Sequence, residues 1–433
     1  MNTTEALLAH YRSLAGNRQV SLPIQQQAYE HLLQQGFPDK KIEDWHYTAM
    51  NPLLEHAFAP ADDALELDRA ALDHLLLGYA DTHQVVLYNG QFQPHLSQLP
   101  GAEGLQITSL KQALAAQDKG LMAYLGKLSG EGEHLFNALN TALLDDGVYI
   151  RLAAGCKLHK PIEILHVSLT FSGALIAQPR HLVVLEAGAE ATLIEHHGSL
   201  GDSLCFNNML SEIFLAENTR LNHIRLQNES RQSRHLASLY IQQQQHSEYY
   251  ATSIALGGLW SRIEFHNGLD AVNARAHHAG FYMAGDSQLN NNHLKVVHRA
   301  AGCRSREVYK GILKGHGKAV FDGMVKVAVD AQQSDAHLSN ANLLLSRNAE
   351  IDTKPILEIE ADDVKCSHGT TVGQIDADLL FYLRSRGIAE SQARQMICLG
   401  FAGDIVETID WQPMRDYVQG LLQQRLQHIE TFR

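Results

Sequence analysis

The sequence predicts a mainly β protein whose central body of short strands lies between helical ends. From Val148 onward, apolar and polar residues alternate with a period of two, as in VYIRL, HLVVLEA and RIEFHN. Turn residues rather than helices separate these runs, which recur about every thirty residues, beginning at Gly188, Glu217 and His246. A parallel solenoid fits this repeat because each coil buries its inward residues against the next. A β-sandwich is the competing architecture.

Composition indicates a soluble globular protein. Of 433 residues, 45% are hydrophobic and 19% are charged, and no apolar run approaches the roughly 18 residues of a membrane span. The N-terminus lacks a basic segment followed by an apolar one, so we expect a cytoplasmic location. A net charge of -13 repels phosphate backbones and anionic lipid, so nucleic acid and membranes are not expected partners.

The cysteines and histidines set further limits. Five cysteines without a C-x-x-C pair argue against a disulfide framework and a self-contained zinc site, so we expect free thiols. The 25 histidines are scattered along the chain. We therefore interpret most of them as residues of solvated strands rather than as metal ligands or pH sensors.

Residues 1–146 are expected to form a mostly helical domain. One helix runs through TTEALLAHYRSLAG to Gly16, and a second apolar stripe covers Ile24–Leu33. Trp45 is predicted to anchor this domain on the body, and Gln84–Tyr88 is a strand candidate.

Residues 147–372 are expected to form the β core and residues 373–433 a C-terminal helical domain. Asp376 can cap a first helix that ends at Gly387, and a longer helix follows before Pro413 starts a last one. Their apolar residues predict a self-packing face. We expect these helices to cap one end of the β body, since an open solenoid leaves unpaired edges.

The most reactive compact stretch lies where the strands give way to these helices. Cys366 and His368 are two residues apart, which places both side chains on one face of a strand with Ser367 opposite. A thiolate and an imidazole suit iron, zinc or a sulfur-bridged cluster. Most metal sites need about four ligands, so this pair is a half-site that needs distant residues or a second chain. A buried cysteine beside a turn histidine is the alternative.

The surrounding run ADDVKCSHGTTVGQIDADLLFYLRSRGI, Ala361–Ile388, resembles the signature of the SufB/SufD family of iron–sulfur cluster assembly proteins, and more closely its SufD branch. Three further stretches resemble family segments in the same order: EDWHYT at Glu43–Thr48, Cys303–Gly323 and Asn340–Pro355. The resemblance implies a right-handed parallel β-helix, rather than a sandwich, flanked by the two helical domains.

The resemblance also implies a function. Family members are scaffolds that pair with a SufB paralogue and bind a SufC-type ABC ATPase. The nascent iron–sulfur cluster is transient and shared at the paralogue interface, none is stably bound by the isolated chain, and the isolated chain can form a homodimer. His368 and Cys366 match the cluster-assembly positions. The implied ATPase-docking residues are Tyr382, Leu383, Arg384, Ile388 and Met396. The implied paralogue-interface residues are Asn340, Asp352, Lys354, Pro355 and Glu358.

No catalytic constellation stands out, and we do not expect an enzyme. The chain has no G-x-x-x-x-G-K-[ST] sequence, so a partner must hydrolyse any ATP. The Gly-rich run Lys314–Lys318 lies between strand patterns and is predicted to be a turn. The chain departs from the family at Asn291-Asn292-His293, so a metal role along that strand depends on His293 and His298.

Two other functions fit parts of the sequence. An acidic β-helix could be a secreted-type polysaccharide lyase acting through Asp362, Asp363 and Lys365, although such enzymes are usually exported. A histidine-rich metal-binding protein is the second, and it would bind metal at several sites without partners.

Overall fold

The computed structural model describes residues 3–18, 22–60, 67–73, 75, 82–129, 134–170 and 173–427. Its helices are α1 (Thr3–Gly16), α2 (Pro23–Gln34), α3 (Asn51–Leu54), α4 (Leu110–Ala115), α5 (Lys119–Tyr124), α6 (Leu135–Ala142), α7 (Ala377–Ser385), α8 (Glu390–Val406) and α9 (Gln412–Arg425), with 3₁₀ turns at Glu43–Trp45 and Arg69–Leu72. Its strands are β1 (His83–Tyr88), β2 (Gln91–Phe92), β3 (Leu105–Ser109), β4 (Gly147–Leu152), β5 (Ile162–Ser168), β6 (Leu175–Ala177), β7 (Arg180–Leu185), β8 (Glu190–Ser199), β9 (Cys205–Leu215), β10 (Arg220–Asn228), β11 (Arg234–Gln243), β12 (Glu248–Ala255), β13 (Trp260–Leu269), β14 (Arg275–Ala284), β15 (Leu289–His298), β16 (Arg304–Leu313), β17 (Lys318–Val327), β18 (Asp335–Leu344), β19 (Glu350–Ile359) and β20 (Lys365–Gly373).

The strands form a solenoid of about eight turns, which confirms the predicted mainly β fold and excludes the sandwich. One sheet has the order β2-β1-β5-β8-β10-β12-β14-β16-β18-β20, and the other has the order β19-β17-β15-β13-β11-β9-β7-β4-β3. We call them the β20 sheet and the β19 sheet. From β7 onward, successive strands alternate between the sheets, and each pairs in parallel with the strand one coil away. For example, Arg220 of β10 pairs with Glu248 of β12. A parallel ladder between strands that are not consecutive is the pairing that a sandwich of hairpins lacks.

A left-handed turn residue marks successive coils and explains the repeat in the sequence. In each turn from β7–β8 to β17–β18, where the chain passes from the β19 sheet to the β20 sheet, one residue has a positive φ, for example Asn218 (57°), His246 (54°) and Asn273 (59°). Asn and Gly adopt this conformation at the lowest cost. The backbone N–H of Asn218 donates to Gln245 O at 2.9 Å, and that of His246 to Val272 O at 3.1 Å. The turns therefore form a ladder of their own.

The helices cover the outer faces of the two sheets, so the expectation that they cap one end is wrong. Outward residues of the β20 sheet, including Ile254 and Phe281, pack against α8 and α9. Outward residues of the β19 sheet, including Phe206 and Trp260, pack against the N-terminal helices. Apolar side chains on the outward face of a strand must also be buried, and a helix is the element that buries them here.

Trp45 anchors the N-terminal region on the β19 sheet, as predicted. Its ring is buried, lies 5.2 Å from the His134 ring in an edge-on arrangement, and is covered by the Arg262 guanidinium at 4.0 Å. A cation above an indole face is attracted to the ring electrons. The 3₁₀ turn Glu43–Trp45 is therefore fixed over β13 and its neighbours.

The two ends of the solenoid differ. At the first end, antiparallel strands flank the parallel ones, with β2 beside β1 and β3 beside β4. At the other end, β19 and β20 are each the last strand of their sheet. Within the described residues, no strand pairs with their outer edges, and such an edge is a template for another chain.

The C-terminal helices begin as the sequence predicts. The Asp376 carboxylate accepts hydrogen bonds from the backbone N–H groups of Asp378 (2.8 Å) and Leu379 (3.2 Å), and Gly387 has a φ of 87° after the helix. The self-packing interpretation holds for α8 and α9 but is wrong for α7, which has no buried residue. Among the described residues, no helix combines the length and apolarity needed to cross a membrane.

Candidate functional site

Cys366 and His368 lie on β20, at the open end of the solenoid. Cys366 pairs with Ala336 and His368 with Leu338, and both partners on β18 belong to the apolar interior. Both side chains therefore share the inward row, as their spacing predicts. Cys366 is half-buried against that interior, whereas His368 is exposed because no further coil covers it.

Ser367 points to the opposite side, where its Oγ lies 2.5 Å from His337 Nδ1. His337 also approaches the Asp335 carboxylate, at 2.8 Å from Nε2. This outward group is separated from Cys366 and His368 by the sheet itself.

The thiol of Cys366 is not activated within this chain. Burial raises its pKa above the ordinary value, and a backbone hydrogen bond with Ala336 opposes that rise. The negative charge of Asp335 adds to the rise, as does that of Glu307 once Glu307 ionises. A thiol needs a nearby cation or metal to become the nucleophilic thiolate. In this chain alone, Cys366 is therefore a protonated, half-buried thiol.

The pair remains a half-site in the structure. Among the described residues, two groups bring three possible metal ligands together: His166, Glu195 and His197, and, separately, Asp44, His293 and Asp322. Neither group includes Cys366 or His368. A metal bound by that pair would need further ligands from outside the described part of the chain.

The interface residues implied by the resemblance lie on or next to β19. Lys354 places Nζ 2.7 Å from Glu43 Oε1, Glu358 pairs with Lys326 at 3.3 Å, and the pKa of Asp352 is raised by partial burial. Pro355 lies on the same strand, β19. Asn340 differs from them because it is buried inside the last coils, where its Oδ1 accepts a hydrogen bond from Thr353 Oγ1 at 3.0 Å.

The docking residues implied by the resemblance surround an exposed apolar face on α7 and α8. Tyr382 is 53% exposed and Met396 is 50% exposed, whereas Leu383 and Ile388 are partly buried. Arg384 pairs with Glu390 at 3.3 Å. Sequence reasoning did not select Phe381, which at 72% exposure is the most exposed large apolar side chain in the described residues. The sequence did contain a signal for Phe381. It is a large aromatic residue on a short helix capped by Asp376, and such a residue needs a partner to become buried.

The interior contains a polar cluster that sequence reasoning missed. Glu195 accepts a hydrogen bond from Arg225 Nε at 2.8 Å and lies 3.2 Å from His223 Nε2. Burial alone would raise the pKa of Glu195, but the charges of Arg225 and His223 hold it well below its usual range. Burial lowers the pKa of the neighbouring His197 to about 3. Because Arg225 already occupies the carboxylate, this group is a buried ion pair, and the imidazole of His197 beside it is neutral.

The interpretation of most histidines as solvated is therefore wrong for the interior. The histidines buried inside the solenoid include His166, His181, His197, His223, His235, His278 and His298. Of the two histidines in the segment that departs from the family, His298 is bound inside to Ser305 and Ser334, at 2.9 and 3.2 Å, whereas His293 faces outward. They do not share one site.

Glu307 is a buried acid in the same interior and was also missed. It has no solvent exposure, and neither carboxylate oxygen has a hydrogen-bond partner among the described residues. Burial raises its pKa to about 8, against a smaller opposing effect of Ser305. Its strand, β16, lies two strands from β20. Glu307 is therefore an uncharged acid at neutral pH, placed beneath the half-site.

We expect Glu307→Gln to remove a pH dependence of stability. The folded-state pKa of about 8 exceeds the ordinary 4.5, so stability from this group is present below pH 4.5 and is lost as pH rises toward 8. Between pH 6 and pH 8, the free energy of unfolding of the variant should rise relative to that of the parent by about 2 kcal/mol. Urea unfolding at both pH values measures this difference. The exposed Glu350→Gln should show no such gain, and parallel pH profiles for Glu307→Gln and the parent would contradict the assignment.

The chain is similar to known proteins along most of its length. Residues 169–401 match the family described as SUF system FeS cluster assembly, SufBD core domain, and residues 15–164 match the SufBD protein N-terminal region. The chain is 32% identical over 433 residues to the iron–sulfur cluster assembly protein SufD of Escherichia coli, covering 98% of each chain. It is 34% identical over 383 residues to an iron–sulfur cluster assembly SufBD family protein of Synechocystis, covering 86% of this chain and 84% of the relative.

Proposed function

Because the chain belongs to the SufB/SufD family of iron–sulfur cluster assembly proteins, on its SufD side, we propose that it is a non-catalytic scaffold subunit that pairs with a SufB-type paralogue and binds a SufC-type ATPase. The cluster is the cargo of this assembly and not a resident cofactor. The polysaccharide lyase and the metal-buffering protein are set aside by this membership. The free thiols support a reducing compartment, the cytoplasm.

One observation carries the proposal: the half-site and the unpaired strands lie at the same end of the solenoid. The backbone N–H of Lys365 donates to the O of Ser334, the residue before β18, at 2.9 Å. In a parallel ladder alternate residues point to opposite neighbours, so the N–H groups of Cys366, His368, Thr370 and Val372 face the free edge. A second chain that pairs there brings its own side chains next to Cys366 and His368.

The β19 edge supports the same arrangement. Glu350 N donates to Gly317 O at 3.1 Å, so odd-numbered residues of β19 present their N–H groups outward. Pro355 falls in that outward series and has no N–H, which is the position where a proline is tolerated in a sheet. Asp352, Lys354 and Glu358 then supply charges beside the edge, and Asn340 holds Thr353 in place from inside. In the absence of the paralogue, the same edges can pair two copies of this chain.

The chemistry proposed at this joint follows from the two side chains. His368 offers an exposed imidazole whose ring nitrogens can bind iron or transfer a proton. Cys366 offers a thiol that becomes a ligand once iron or a cation of the partner lowers its pKa. The partner must supply the remaining ligands, since a cluster iron needs about four.

The ATPase dock is proposed on the exposed face of α7 and the adjoining part of α8. We expect Met396→Asp or Leu383→Asp to weaken ATPase binding by about 2 kcal/mol or more, roughly thirtyfold, because a carboxylate at the centre of an apolar contact must be desolvated. Charge reversal at Arg384 should act in the same direction. Co-purification of the ATPase with each variant is the measurement.

Met122 provides the matched control, because it is 44% exposed on α5 and comparable to Met396 at 50%. Met122→Asp should leave the co-purified ATPase unchanged. Loss of the β-sheet circular dichroism signal together with the ATPase would mean that the α7 and α8 residues stabilise the fold instead. Normal recovery of the ATPase with folded Met396→Asp and Leu383→Asp would refute the dock.

A further inference from the structure

Three side chains from distant parts of the sequence meet on the outer face of the β19 sheet. His293 on β15 is the direct register partner of Asp322 on β17. Their neighbours Leu294 and Phe321 point into the apolar interior, so His293 and Asp322 point outward. Asp44 comes from the 3₁₀ turn that Trp45 fixes on this sheet. One possible ligand atom from each side chain lies within 4.8 Å of the others.

The imidazole of His293 shows that this cluster is incomplete. The side chain is 5% exposed, and its Nδ1 has no hydrogen-bond partner among the described residues. The nearest carboxylate oxygen, Asp322 Oδ2, is 3.8 Å away, too far for a hydrogen bond. A buried ring nitrogen without a partner is costly. A cation between His293 and Asp322 would satisfy the nitrogen and the carboxylate together.

The charges around the cluster favour a cation but include one competitor. Three acidic residues contribute to it: Glu43, Asp44 and Asp322. The cation Arg262, which covers Trp45, is already paired with Glu264. Lys354 is the competitor, with Nζ 2.7 Å from Glu43 Oε1 and 3.9 Å from Asp322 Oδ2. Its side chain is partly exposed, so the ammonium can remain with Glu43 while Asp322 binds a metal.

From this geometry we propose that Asp44, His293 and Asp322 form a binding site for one divalent transition-metal ion. One imidazole and two carboxylates suit Fe²⁺, Mn²⁺ or Zn²⁺. Ligand atoms around one such ion lie roughly 3 to 3.5 Å apart, so small side-chain rotations close the site. Asp44 is exposed, which leaves the ion open to water and to exchange. The site lies outside the solenoid, whereas Cys366 and His368 face its interior, and it does not depend on the proposed function.

Calorimetric titration of the full chain under anaerobic conditions tests the site, with Fe²⁺ and with redox-inert Zn²⁺ as the probes. We expect one equivalent of saturable binding in the parent protein. His293→Gln and Asp322→Asn should each weaken binding at least about tenfold, because a direct ligand is lost. Lys354→Gln should tighten binding, because the competing ammonium is removed.

His337→Gln is the matched control, since His337 is an outward histidine near a carboxylate on the other sheet. It should bind metal as the parent does. Binding that is equally weakened in His337→Gln, or unchanged in His293→Gln, would overturn the site, as would absence of binding in both the parent and Lys354→Gln. Unfolding midpoints of all variants identify any that fail to fold. Misfolding cannot explain the result expected for Lys354→Gln, because that variant should bind the metal more tightly than the parent.

Discussion

Replacing His368 by alanine is expected to abolish cluster-dependent growth in cells that lack another assembly pathway, while the complex still forms. The imidazole is exposed at the open end of the interior row, so its removal leaves no cavity in the core. What is lost is a nitrogen that can bind iron or move a proton at the proposed joint. Growth on a medium that demands iron–sulfur enzymes is the measurement, and pull-down of the complex accompanies it.

Cys366→Ser should have the milder effect. It keeps the shape of the half-buried side chain, and the thiol it removes has a raised pKa in this chain. His337→Gln, one strand away on the outer face, should grow normally. Normal growth of His368→Ala at parental levels of the complex would refute the role of His368. Loss of the complex in that variant would mean that the residue is structural.

The second large effect is expected at the β20 edge. Thr370→Pro combined with Val372→Pro removes two outward N–H groups while the odd-numbered residues keep their bonds to β18. The residue before each proline is already extended, as proline requires. Loss of two interchain hydrogen bonds should weaken pairing with the SufB-type paralogue about tenfold to hundredfold. Analytical ultracentrifugation of the mixed chains measures the dissociation constant.

The control for this experiment keeps the N–H groups. Thr370→Val combined with Val372→Thr changes the same side chains and should leave pairing intact. If the proline variant pairs as tightly as the parent, β20 is not the pairing edge. If both double variants lose pairing equally, the side chains rather than the backbone make the interface.

The solenoid could be predicted from the sequence because its signals are local. Each coil repeats an alternating strand after a turn residue such as Asn218 or His246, and both features are visible without a structure. The shared face of Cys366 and His368 followed from strand geometry alone. The cap at Asp376 was equally local.

The remaining features depend on which residues meet across coils, and that register is not visible in one sequence. Asp44, His293 and Asp322 are brought together by the anchoring of Trp45 and by the pairing of β15 with β17. The buried state of Glu307 likewise depends on the strands stacked around it. The position of the helices was predicted wrongly for a similar reason. The sequence does not show which apolar strand residues point outward, and those are the residues that the helices cover.

The central claim is that a cluster forms only where the open end of this chain meets its paralogue. Anaerobic analysis of protein-bound iron and acid-labile sulfide tests it most directly, on the chain alone, on the chain with the paralogue, ATPase and MgATP, and on the same mixture with the proline variant. Fe²⁺ and inorganic sulfide are supplied to all three samples, and unbound ions are removed before the analysis. We expect sulfide in the complete mixture, and little in the isolated chain even where Fe²⁺ binds. With the proline variant, the amount of bound sulfide should fall in proportion to the loss of pairing with the paralogue. Stoichiometric sulfide on the isolated chain, or undiminished sulfide in a proline variant that no longer pairs, would contradict the claim.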